Sequence, residues 1–158
     1  MYVFNEMKQI TVDFYKTIGI DDIPEKYLHL AVMSLTMPEY SKEYKDHFKD
    51  EIGNHSALAT VGDSVCEAFL MLNSYPCDSY NITAEKMSGK KSSLTNVNLN
   101  KIGEELLKDH LFYRNNDLKD GNIKSYATAF EAVIGFIALL DMYTNKNRIV
   151  KFLKDYIN

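Results

Sequence analysis

Proline and glycine are scarce in this sequence, at three and seven among 158 residues. So few turn-formers leave little material for tight hairpins, and many short strands are not expected. No apolar run approaches the roughly 20 residues that a bilayer span needs. The longest, Ala132 to Leu140, has nine. The opening stretch, MYVFNEMKQI, lacks a basic segment followed by an apolar one, so no secretory leader is expected. Cysteine is nearly absent. Cys66 and Cys77 stand eleven apart, a spacing that fits neither a metal site nor a redox pair, and a reducing, cytoplasmic compartment is expected. Positive charge is not in excess either. Lys and Arg number 18 against 22 Asp and Glu, for a net charge of −4. Bulk charge therefore does not hold this chain to nucleic acid.

The remaining composition is that of a globular protein, with 46% hydrophobic and 25% charged residues. The length suits one domain over residues 1–158, long enough to bury a core without staples. Charge is unevenly spread. Residues 1–53 carry ten acids and six bases, whereas Lys86 to Lys124 carries eight bases and five acids. That second stretch is either a local basic strip or an ordinary solvated helix surface.

Apolar residues recur at helical spacing almost throughout, so the expected fold class is all-α. The pattern predicts helices over about Asn5–Thr17, from Pro24 to a stop at Pro38, over Ser56–Leu72, Thr83–Ser88, Leu94–Asp109, Ser125–Met142 and Asn145–Tyr156. Tyr40 to Glu51 reads as a helix or an ordered loop, and Asn115 to Asn122 as a polar loop. The helix from Ser56 is apolar on most sides, with Ala57, Leu58, Ala59, Val61, Val65, Ala68, Phe69 and Leu70. It is expected in the middle of a bundle.

Three acids do not fit these central helices. Asp63 and Glu67 lie four apart and so share one helix face. Glu131 interrupts what is otherwise core sequence. An ionised carboxylate left unpaired there would cost several kcal/mol. It must be protonated, paired with a cation, or bound to a metal. No Lys or Arg is within helical reach, since the nearest are Lys124 and Lys146. If the two helices pack together, Asp63, Glu67 and Glu131 converge, and clustered oxygens favour a hard ion such as Mg²⁺. Such a site suits phosphoester hydrolysis. The plainer alternative makes Glu67 helix surface, Asp63 a local hydrogen-bonding residue, and Glu131 the partner of a distant lysine.

Four segments, in order, are similar to a known family. Leu58-Ala59-Thr60-Val61-Gly62-Asp63-Ser64-Val65-Cys66-Glu67 resembles the central motif of ribonuclease III catalytic domains, L-E-F-L-G-D-[AS]-V-L-E. Ala127-Thr128-Ala129-Phe130-Glu131-Ala132-Val133-Ile134-Gly135 resembles their second motif, A-D-A-F-E-A-L-I-G. Ser34-Leu35-Thr36-Met37-Pro38-Glu39-Tyr40 resembles the upstream A-L-T-H-P-S-Y, and Ile82-Thr83 with Leu94 to Leu99 resembles the middle of the domain. Two acids of the family pattern are replaced, by Ala59 and Thr128. The Mini-ribonuclease III branch is similar in both replacements, and as in that branch no double-stranded-RNA-binding domain is expected after the catalytic one. This chain differs from that branch in its longer N-terminal helices.

The resemblance implies a ribonuclease III-type helical bundle working as a homodimer on double-stranded or structured RNA. It implies hydrolysis to 5′-phosphate and 3′-hydroxyl ends. Asp63 and Glu131 would hold Mg²⁺, or Mn²⁺ in its place, with Glu67 standing behind them. Gly62 would let another helix approach closely. Val61, Val65 and Phe69 are candidates for burial between two copies. Duplex RNA is bound mainly through phosphates and 2′-hydroxyls, so Lys86, Lys90, Lys91, Arg114, Lys119 and Lys124 are the candidate RNA contacts. The alternative is a catalytically silent RNA-binding or ribosome-associated protein of the same fold. No membrane partner is expected.

Overall fold

The computed structural model describes residues 1–78, 80–88, 96–113 and 123–157, without the side chains of 96, 97 and 123–125. Eight α-helices occupy the described residues: α1 (Phe4–Thr17), α2 (Leu28–Ser34), α3 (Pro38–Phe48), α4 (Ser56–Ser74), α5 (Ala84–Ser88), α6 (Asn96–Leu107), α7 (Ile123–Thr144) and α8 (Ile149–Tyr156). A 3-10 turn, Glu25–Tyr27, leads into α2. No strand is present among the described residues, and the all-α expectation holds.

The long apolar pattern around Glu131 becomes the central post. On α7, Ala127, Ala129, Phe130, Ala132, Val133, Ile134, Phe136, Ile137 and Leu140 are all buried. Helices α4, α6, α2 and α8 pack around it. By length and composition, Tyr126–Thr144 is apolar enough to cross a membrane, yet most of it is covered by these neighbours.

Three expectations need correction. Pro38 does not end the second helix. That helix stops at Ser34, and Pro38 starts α3, where its fixed φ and missing N–H cost nothing. The segment between is stitched to distant backbone. Phe112 N–H donates to Leu35 O at 2.8 Å, Met37 N–H to Phe112 O at 2.9 Å, and His55 N–H to Thr36 O at 2.9 Å. These long-range partners satisfy backbone groups that would otherwise have continued a helix. His55 is itself buried, with Nε2 3.1 Å from the Met37 sulfur, and burial pushes its pKa down to about 4.

The second correction concerns α4. It is not buried on most sides. Leu58, Ala59, Gly62, Cys66 and Phe69 face the core. Ala57, Val61, Ala68 and Leu72 are exposed, with Val65 half-buried beside them. Phe69 belongs to the chain's own core, which removes it from the candidates for burial between copies.

A buried acid fixes the C-terminal corner. Asp141, 5% exposed, sits near the end of α7. Its Oδ2 accepts from Arg148 N–H at 2.6 Å and Ile149 N–H at 2.8 Å, and its Oδ1 from Arg148 Nε at 3.0 Å. It thus caps the start of α8, supplying the negative charge that a helix N-terminus favours. Arg148 and Lys146 also pair with Asp22 in the loop after α1. The sequence pattern beginning at Asn145 therefore yields a helix only from Ile149.

Asp141→Ala is expected to lower the free energy of unfolding by about 3 kcal/mol, because Arg148 and two N–H groups lose their acceptor in a buried place. Asp22→Ala, at an exposed pair, should cost less than about 1 kcal/mol. Urea unfolding of both variants measures the difference, and equal losses would show that Asp141 is no keystone.

Candidate functional site

Helices α4 and α7 cross in backbone contact. A Cβ on Gly62 would lie 1.7 Å from the Glu131 carbonyl oxygen and 3.0 Å from Gly135 N. A Cβ on Gly135 would lie 2.1 Å from the Leu58 carbonyl oxygen. Neither position has room for any side chain. The close approach expected of Gly62 is therefore present, and its partners are Glu131 and Gly135. Glycine costs about 1 kcal/mol in a helix interior, so a glycine inside the apolar run of α7 signals such a contact. Gly135 carried that signal unread.

This crossing brings the carboxylates together. Asp63 is exposed, one residue beyond Gly62, and Glu131 is half-buried. They are close enough for a hydrogen bond between the two carboxyl groups. Burial, followed by the Asp63 charge and that hydrogen bond, pushes the Glu131 pKa up to about 7. No Lys or Arg among the described residues forms an ion pair with Glu131. The distant-lysine alternative thus finds no support among the described residues.

Glu67, half-buried, lies on the next turn of α4. Its charge is felt, with those of Glu131 and Asp63, at the buried Cys66 thiol. Burial first, then the three carboxylates, push that thiol up to about 12. Cys66 stays protonated at neutral pH and is no nucleophile.

Among the described residues, no three His, Cys, Asp or Glu side chains are gathered closely enough to enclose an ion. The donor set is therefore an acidic pair, with Glu67 nearby. Such a set suits Mg²⁺, which keeps several waters and needs only one or two protein carboxylates. Zn²⁺ would want a fuller set of nitrogen or sulfur ligands. Ala59, one turn before Asp63, is buried, so the position is closed to water, and Thr128 is half-buried on α7.

Of the candidate RNA contacts, Lys86 is exposed in the short helix α5. Lys90, Lys91, Arg114 and Lys119 lie outside the described residues. Lys124 falls in the first turn of α7, with its side chain outside the described set.

Two outcomes test this geometry. Gly62→Ala must force the helices apart and should cost about 3 kcal/mol in denaturant unfolding, the scale of overpacking a tight core. The Glu131 carboxyl gives a pH signature. Its folded pKa lies above the usual carboxylate value of 4.5, so the stability it contributes is complete below that pH and is lost as pH rises through about 7. In cation-free buffer, Glu131→Gln should therefore melt above the wild type at pH 8, by about 3 °C after solvent screening. The gap should close near pH 4.5. A variant that melts below the wild type at pH 8 would mean that the carboxylate has a cationic partner. No protein-family profile matches the chain, and a search of curated proteins finds no match.

Proposed function

We propose that this chain is a ribonuclease III-type endoribonuclease that works as a homodimer on double-stranded or structured RNA with Mg²⁺ or Mn²⁺. The observation that carries this reading is the Asp63–Glu131 pair, two carboxylates facing each other across a glycine crossing. A proton relieves the repulsion between them below about pH 7, and a bound cation relieves it above. The segments that resemble the family's two motifs are the ones that meet at this crossing.

Asp63 and Glu131 would hold the ion, which when bound activates water and stabilises charge on the phosphorus and the leaving oxygen. Asp63 is exposed and can reach an ion shared with a phosphate. Glu131 is fixed by the α4–α7 contact and supplies a preorganised oxygen. Glu67 adds negative charge behind the pair. The outward face of α4, with Ala57, Val61, Ala68 and Leu72, offers apolar surface to a second copy. RNA contact would rest on few cations, with Lys86 among them, so binding would be weak and would fall steeply with salt.

A second reading is a catalytically silent protein of the same fold, favoured by Ala59 and Thr128 where the family pattern has acids. The two readings separate on an end-labelled RNA duplex. With Mg²⁺ the wild type should cut it to 5′-phosphate ends, and EDTA, Asp63→Asn or Glu131→Gln should each reduce cutting at least about 100-fold. The substituted proteins should still bind the duplex. Cutting by Glu131→Gln at the wild-type rate would refute the assignment of the pair, and no cutting by the wild type on duplexes or hairpins would favour the silent reading.

A further inference from the structure

The α4 contact holds α7 from one side, at Glu131 and Gly135. A different residue holds the same stretch from the other side. Asn100 on α6 turns its side-chain carbonyl onto the start of α7, where Oδ1 accepts from Tyr126 N–H at 3.1 Å and from Ala127 N–H at 3.3 Å. One turn along α6, a Cβ on Gly103 would lie 2.4 Å from the Tyr126 carbonyl oxygen. Tyr126 is thus held at both its N–H and its C=O, and further along α7 the Glu131 carbonyl lies against Gly62. Between them the helix has little freedom to slide or rotate.

We propose that Asn100 is a positioning residue for the Asp63–Glu131 pair, fixing the register of α7 so that the Glu131 carboxyl meets Asp63. This rests on reading the pair as an ion-holding site. Asn100 does not touch the ion or the substrate. Its amide oxygen fits the task because an acceptor placed close to the start of a helix meets the positive end of its dipole. An oxygen accepting two N–H groups at once fixes a position more tightly than surface packing does.

The test compares wild type with Asn100→Ala, Asn100→Asp and Asn100→Gln, and uses exposed Lys101→Ala on the same helix as a control. In cation-free protein, Asn100→Ala should speed amide exchange from Tyr126 to Glu131 about tenfold, the scale of losing one or two hydrogen bonds. It should also shift the carboxyl carbon resonances of Asp63 and Glu131. In a Mg²⁺ titration without RNA its midpoint should rise about tenfold. Asn100→Asp keeps the oxygen and should restore all three. Asn100→Gln keeps the amide but displaces it by a methylene, so it should shift the carboxyl resonances, and it decides the matter if the alanine variant does not fold. Faster exchange at Tyr126 and Ala127 with unmoved carboxyl resonances would reduce Asn100 to a local cap and overturn the proposal. Failure of Asn100→Asp to restore them would overturn it too. If the wild type takes up no Mg²⁺, the ion-holding reading falls, and the carboxyl resonances alone then decide whether Asn100 positions the pair.

Discussion

The contact between Gly62 and the Glu131–Gly135 turn sets everything around it. Two helices meet with backbone against backbone, and no side chain separates them. Dispersion between closely packed atoms is small pair by pair and large in sum, so a long seam of this kind holds well. It also has no slack. The helix that contributes Glu131 cannot rotate without driving a carbonyl into α4. The same rigidity that makes the seam intolerant of a methyl group makes the carboxylate pair geometrically sharp.

Two acids in the apolar helix α7 have opposite fates. Asp141 is almost fully buried and satisfied, by two N–H groups and a guanidinium. Glu131 is less buried and meets another acid. Burial alone therefore does not mark a site. The sign of the neighbour does. A buried acid with a cation beside it closes a corner of the fold, and an acid beside an acid stores repulsion that a proton or a cation relieves. The α7 helix pairs one with opposite charge and the other with like charge.

Much of this was legible in the sequence. The helical class followed from apolar spacing, and α7 was visible as a core helix because nearly every residue from Ala127 to Leu140 is apolar. Asp63, Glu67 and Glu131 stood out as charges out of place, and the structure brings two of them, Asp63 and Glu131, together. What failed to show depends on partners far away in the chain. The Asn100 oxygen meets Tyr126, 26 residues on, and no periodicity encodes that. The stop at Ser34 was hidden because nothing in Leu35 to Met37 breaks a helix, and only their bonds to Phe112 and His55 draw them out of it. The open face of α4 was hidden for the reverse reason. Alanine and valine read as core wherever they occur, and the pattern does not say whether the covering surface belongs to the same chain.

Cys66 gives this architecture a chemical clock. Its thiol lies under the helix crossing, with a pKa pushed up to about 12 by burial and three carboxylates, so thiolate is nearly absent while the crossing is closed. Cys77, only eleven residues along, is exposed. A thiol reagent therefore meets two sites on very different schedules. Cys77 reacts from the folded state, whereas Cys66 must wait for α4 to lift away from α7, and the lag between them counts the openings of the seam. Anything that clamps the two helices together lengthens that lag.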